Sequence, residues 1–264
     1  LYKVTGLAFV IPSTSIMVRG KLWMSDGTTS GTVLLKEFTQ SNTAGGSILT
    51  NSLGVFANGL LFFVADDDNG RELWSSDGTT SGTQMVKDIR PGYPSTQHYN
   101  PYDGLTSDHL VVLGNHVYFS ADDGTNGTQL WKSDGTASGT VMVKNLYSGG
   151  GIVENFAIGR VAVLDNNIYY SANDGTHGKE LWKSDGTASG TMMVKDINTQ
   201  ITSSGDNANS MVSNTAMTAT DNMVIFSADD GIHGKELWKT DGTAAGTALV
   251  LSLIHISEPT RLQQ

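Results

Sequence analysis

The sequence predicts an all-β fold, a β-propeller of about five four-stranded blades, on three observations. The five tryptophans, Trp23, Trp74, Trp131, Trp182 and Trp238, stand 51, 57, 51 and 56 residues apart, with none outside the series. Each follows a leucine and stands three positions before an aspartate (Asp26, Asp77, Asp134, Asp185, Asp241) that opens Asp-Gly-Thr, and a second Gly-Thr comes four residues later. Between these markers lie short apolar runs of strand length, bounded by Gly, Asp and Asn. A period near 50 residues with four strands per period is the signature of a propeller blade.

One unit reads clearly from 110 to 146. Leu110 to Leu113 forms a first strand and Gly114-Asn115 turns the chain; Val117 to Ala121 forms a second, broken by Asp122-Asp123-Gly124. Gln129 to Ser133 forms the third and Thr140 to Lys144 the fourth, with a reversal from Asp134 to Gly139. Such alternation of β-rich runs with glycine and aspartate marks hairpins. Second strands recur at Leu60 to Ala65, Ile168 to Ala172 and Val224 to Ala228. The connections at 38–52, 89–107, 146–157 and 197–214 do not repeat. The terminal blades are expected to be incomplete or irregular, and the array to be one propeller or a segment of a larger one.

Composition narrows the function. The 264 residues carry a net charge of −10, which disfavours nucleic acid and anionic lipid. No apolar stretch has the length of a membrane span. Cysteine is absent, so disulfides, thiol catalysis and thiolate-bound zinc are excluded.

The repeated residues read first as scaffold. A tryptophan beside leucine in a strand suits packing between sheets, and Asp-Gly-Thr suits a capped reversal in which aspartate accepts turn N–H groups. The acidic turns contain Asp66, Asp68, Asp122, Asp123, Asp174, Asp229 and Asp230, hard oxygen donors that are metal candidates for Ca²⁺, although their spacing is not that of a helix–loop–helix calcium loop. Capping of tight turns and solubility of the sheet rims is the reading preferred for them. Tyr93, His98, Tyr99 and Tyr102 sit on a non-repeating connection and are ligand-binding candidates, because aromatic rings on variable loops over a rigid scaffold are placed for contact. No nucleophile elbow or phosphate-binding loop is present, and no residue is assigned a catalytic role. His177 and His233 occupy a turn position held by Asn126 in another repeat, which points to a turn role.

The segment Glu180-Leu181-Trp182-Lys183-Ser184-Asp185-Gly186-Thr187 resembles the signature of ELWxxDGT-repeat proteins, also described as hyalin-like. Glu72 to Thr79 and Glu236 to Thr243 match it fully; Gln129 to Thr136 departs at its first residue, and Lys21 to Thr28 departs further. The resemblance covers about 22–250 and implies a secreted or cell-surface protein, with no catalytic residues to carry over. The first unit has Pro12 to Lys21 where an acidic turn is expected. Leu251 to Arg261 resembles translated sequencing adapter, so the organisation expected is a repeat array over 1–250 and a non-native, poorly packed tail over 251–264. The function expected is a noncatalytic extracellular binding or structural module, adhesive or glycan-binding, with a glycan, a protein or further blades of a longer parent chain as partner. The alternatives are a propeller hydrolase acting on polysaccharide and a calcium-stabilised spacer.

Overall fold

The computed structural model describes residues 3–4, 7–10, 20–38, 54–91, 110–146, 161–211 and 215–251. Among the described residues twenty strands form five four-stranded sheets, each with its strands in chain order. The first sheet holds β1 (Lys3–Val4), β2 (Leu7–Val10), β3 (Lys21–Ser25) and β4 (Val33–Glu37). The second holds β5 (Val55–Ala57), β6 (Leu60–Asp67), β7 (Gly70–Ser76) and β8 (Gln84–Lys87). The third holds β9 (Val111–Leu113), β10 (His116–Asp122), β11 (Thr128–Ser133) and β12 (Val141–Lys144). The fourth holds β13 (Ala162–Leu164), β14 (Asn167–Asn173), β15 (Lys179–Ser184) and β16 (Met192–Lys195). The fifth holds β17 (Met217–Ala219), β18 (Val224–Asp229), β19 (Lys235–Thr240) and β20 (Ala248–Leu251).

The terminal sheets, expected to be incomplete or irregular, each have four strands, and the first is irregular in its outer strand β1, which is two residues long. In the last, Leu251 pairs with Leu237, so the repeat pattern runs through it; 252–264 lie outside the described residues. The chain divides into two compact units, with the boundary after Met142 inside β12.

Packing within each unit follows one rule. Pairing is antiparallel with a register shift between the leucine and the tryptophan of the third strand, as between Leu73 and Trp74 and between Leu181 and Trp182. Side chains alternate across a strand, so the leucine and the tryptophan lie on opposite faces of their sheet. The leucine face of one sheet meets the tryptophan face of the next. In the first unit, Phe62, Val64, Leu73 and Val86 of the second sheet pack on Val117, Phe119, Ala121 and Trp131 of the third. Leu22 and Leu35 of the first meet Leu61, Phe63, Ala65 and Trp74 of the second. In the second unit, Leu181 and Val194 meet Val224, Phe226, Ala228 and Trp238.

A lysine closing the fourth strand reinforces the junction. Lys87 Nζ lies 5.6 Å from the centroid of the Trp131 ring and donates to the Thr140 carbonyl at 2.8 Å. Lys195 repeats this over Trp238 at 5.9 Å and with the Thr247 carbonyl at 2.9 Å, and Lys36 lies 4.7 Å from the Trp74 centroid. A cation over an indole, desolvated by a neighbouring sheet, is attracted by the ring quadrupole. Leu251 takes this lysine's place in the last sheet.

The Asp-Gly-Thr reversal satisfies itself. Asp134 Oδ1 accepts the Thr136 N–H at 2.8 Å and its hydroxyl at 2.7 Å, and Thr136 Oγ1 accepts the Gly139 N–H at 2.9 Å. Thr140 Oγ1 donates to the Thr136 carbonyl at 2.7 Å and lies 2.8 Å from Ser133 Oγ, which takes the Gly135 N–H at 3.0 Å. Gly139 is obligatory because a Cβ there would collide with the Asp134 carboxylate, and Gly135 because φ is +98° and a Cβ would meet Leu60 and Phe62 of the preceding sheet. The hydroxyl and N–H donors hold Asp134 below the ordinary carboxylate range. The turns at Asp26, Asp77, Asp185 and Asp241 repeat the Thr N–H and hydroxyl bonds.

Truncating Trp131 to alanine is expected to cost about 3–5 kcal/mol, as for other buried large-to-small changes. Lys87→Met, which keeps the aliphatic stem, is expected to cost about 1–2 kcal/mol. Denaturant unfolding of the full chain distinguishes the two.

Candidate functional site

The acidic turns keep their carboxylates for local work. Asp123 Oδ1 accepts the N–H groups of Thr125 and Asn126, and Oδ2 accepts the Asn126 side-chain amide. Asp174 accepts Thr176 and His177 N–H, with His177 Nδ1 2.8 Å from its second oxygen; Asp230 does the same with Ile232 and His233, at 2.7 Å. Asn126, His177 and His233 thus occupy one role, a side-chain nitrogen on the turn carboxylate. These bonds lower Asp123, Asp174 and Asp230 although burial pushes each of them up. The Asp174 carboxylate raises His177 in turn.

The remaining metal candidates are also engaged. Asp122 caps the Gly124 N–H and pairs with Arg90 at 3.1 Å, Asp66 stands 3.5 Å from Arg71, and Asp229 caps Gly231. Asp68 is exposed at the tip of its turn. Among the described residues no three acidic or histidine side chains gather as a metal site, so the six to eight oxygens that Ca²⁺ takes are not assembled there. Tyr93, His98, Tyr99 and Tyr102 lie outside the described residues.

A polar cleft of ≈ 500 Å³ opens in the second unit, where the repeat is interrupted. One wall is the acidic turn of the fourth sheet, through Asn173, Gly175 and Gly178; the other is the connection after β16, through Thr202, Ser204, Gly205, Asp206, Asn207 and Asn209. That connection folds as a small hairpin. Ile201 bridges Asn207, the Thr202 N–H donates to the Asp206 carbonyl at 2.8 Å, and Gly205 turns with φ +88°.

The hairpin is pinned to the fourth sheet from beneath. Asn209 Oδ1 takes the Lys179 N–H at 2.6 Å, and the Asn207 side-chain amide donates to the Thr176 carbonyl. Gly178 must be glycine, because a Cβ there would strike the Ala208 backbone. Below this floor lies Glu180, fully buried. Its Oε2 accepts the Ser210 hydroxyl at 2.5 Å and the Ile197 N–H at 2.9 Å, while Oε1 accepts the Ser210 N–H at 3.2 Å. Burial outweighs these donors and pushes the carboxyl up to about 7. Glu72, the same position in the second sheet, is pushed up by burial to about 9. Glu180 is therefore a buried latch between the fourth sheet and the connection that follows it. Lys179 is buried beside it, and burial lowers its ammonium.

Several polar groups of the cleft are committed within it: Ser204 Oγ donates to Asp206 Oδ2 at 2.7 Å and Asn173 Oδ1 caps Gly175 at 2.7 Å. Asp206, Asn173, Asn207 and Asn209 line the cleft with carboxylate and amide groups. The sequence marked this connection as variable but gave none of these residues a role. The clue was a run of Thr, Ser, Gly, Asp and Asn on a non-repeating connection.

No family model matches this chain, and no curated protein matches it. Among solved structures, a puromycin hydrolase aligns with 95% of the chain at 13% identity and a TM-score of 0.39. A mutant puromycin hydrolase complexed with PGG aligns over 95% at 11% identity and 0.33. A prolyl endopeptidase aligns over 95% at 9% identity and 0.49. The chain spans under half of each of these proteins, 47% of the two hydrolase chains and 35% of the endopeptidase.

A carboxyl group raised by burial binds a proton in the folded state at pH values where the unfolded chain has released it. Stability is therefore lost as pH rises from the ordinary glutamate value of 4.5 toward 7 for Glu180 and on toward 9 for Glu72. Glu180→Gln, which stays neutral, is expected to flatten the pH 5–7 part of that decline and leave the part above pH 7. Urea midpoints at pH 5, 7 and 9 measure it, and an unchanged slope below pH 7 counts against the latch.

Proposed function

We propose that this chain is a noncatalytic binding module of an extracellular protein, secreted or at the cell surface. Its five sheets are read as blades of a β-propeller or a segment of one, with further blades of a longer parent chain as partners. The observation that carries the binding reading is the cleft between the fourth-sheet turn and the Thr202–Asn209 hairpin. The repeated residues are engaged in holding turns and sheets, whereas the cleft presents amide and carboxylate groups where the copies diverge. Its lining is mostly polar, which suits a polyhydroxylated ligand better than an apolar one. A glycan is the ligand class proposed, with Tyr93, Tyr99 and Tyr102 as candidate stacking rings on another connection.

The hydrolase alternative needs two carboxyl groups facing one pocket across the scissile bond. Asp206 is the carboxylate lining this cleft among the described residues, and Glu180 lies beneath it, bonded to Ser210 and Ile197.

A glycan panel titrated calorimetrically against the full chain, with and without calcium, tests the proposal. Binding is expected, weakened roughly tenfold or more by Asp206→Asn, since a hydrogen bond to a charged group is worth about 1.5–3 kcal/mol. Absence of binding across the panel refutes it. A melting temperature that does not move on chelation removes the calcium-stabilised spacer.

A further inference from the structure

We propose that the hairpin forming one wall of the cleft is a strap, released from the fourth sheet when Glu180 ionises. The cleft thereby keeps its wall at acidic pH and loses it as pH rises, a regulation that rests on the cleft being the binding site. The strap has no apolar anchor of its own: from Ile201 to Asn209 no residue is buried, and burial resumes at Ser210 and Met211. Hydrogen bonds to the turn and strand beneath hold it down. The Asn207 amide donates to the Thr176 carbonyl, Asn209 Oδ1 accepts the Lys179 N–H, and the Ser210 and Met211 N–H groups meet the Lys179 carbonyl, both at 3.1 Å. A segment with so few buried contacts opens at a lower free energy than the whole fold.

Glu180 ties both stems of this strap to one strand. Its carboxyl group meets the Ile197 N–H on the chain entering the connection, and the Ser210 N–H and hydroxyl on the chain leaving it. As a neutral acid, Glu180 donates to Ser210 Oγ at 2.5 Å, and that hydroxyl turns its own hydrogen to the Lys179 carbonyl at 3.3 Å. As a carboxylate it holds a full charge without access to water, a cost relieved when the strap lifts. The charged groups on the elements around it do not remove that cost. Lys179 is buried on the same strand, which lowers its ammonium; Asp196 follows β16 and Asp206 is exposed on the strap, and both are acidic. His177 is bonded to Asp174, which raises the imidazole, but that bond lies within their own turn and does not involve the strap. Burial pushes Glu180 up from 4.5 to about 7, so closure is complete at low pH and is lost as pH rises through 7.

Hydrogen exchange of the full chain, followed by mass spectrometry at pH values on both sides of neutrality and corrected for the intrinsic rate, reads the strap without any ligand. Peptides over 200–211 are expected to lose protection about tenfold or more, relative to β14 and β15, as the carboxyl ionises. Glu180→Gln is expected to keep that protection level. His177→Asn, which installs the residue of the third-sheet turn, is expected to retain the wild-type loss. Wild-type protection that does not change with pH overturns the proposal, whether or not Glu180→Gln folds. A Glu180→Gln chain that loses protection as the wild type does, or a His177→Asn chain that loses none, overturns it equally. A panel glycan bound on the acidic side is expected to bind several-fold more weakly on the alkaline side, and equal affinity overturns control of the cleft by the strap. A panel in which nothing binds refutes the binding reading instead, and the exchange profiles still decide whether the strap opens.

Discussion

A four-stranded sheet with large apolar side chains on both faces cannot stand alone in water, and this constraint organises the molecule. Leu73 and Val86 on one face and Trp74 on the other each require a neighbouring sheet, because the hydrophobic contribution scales with the area removed from water. The repeat solves the problem by making the two faces unlike and mutually complementary. The lysine at the end of the fourth strand then adds a directional contact, reaching forward to the indole and a carbonyl of the following sheet.

The turns follow from the same need. Close approach of sheets forces the reversal at Asp134 against Leu60 and Phe62, so it must be narrow and internally bonded. A side chain at Gly135 would part the sheets, and one at Gly139 would displace the aspartate that organises the loop. The motif is thus a solution to backbone hydrogen bonding at a crowded edge.

Much of this was legible in the sequence, because the repeat reports it five times over. The strand runs around Trp131, the glycine turns and the scaffold role of the tryptophans are local properties, written within about ten residues. The role of the glutamate before three of the five Leu-Trp pairs, Glu72, Glu180 and Glu236, was not legible. Glu180 is explained by Ile197 and Ser210, 17 and 30 residues away on a connection with no counterpart in the other copies. The lysine contact left a trace, a residue fixed relative to the motif, but its partners lie about a repeat further on. The polar cleft is equally non-local, since its walls come from a repeating turn and a unique hairpin. The acidic turns read as turn caps or as cation candidates, and the carboxylates of Asp123, Asp174 and Asp230 accept hydrogen bonds from their own turns.

The forward-reaching lysine also bears on how such a chain can change length. Within each unit a sheet contributes to the stability of the one after it, through its leucine face and a lysine over the next indole. Removing or duplicating a whole period leaves compatible neighbours on both sides of the splice, whereas a cut within a period strands a lysine from its indole. Length can therefore vary by whole periods, and the residues free to diverge lie in the connections between them.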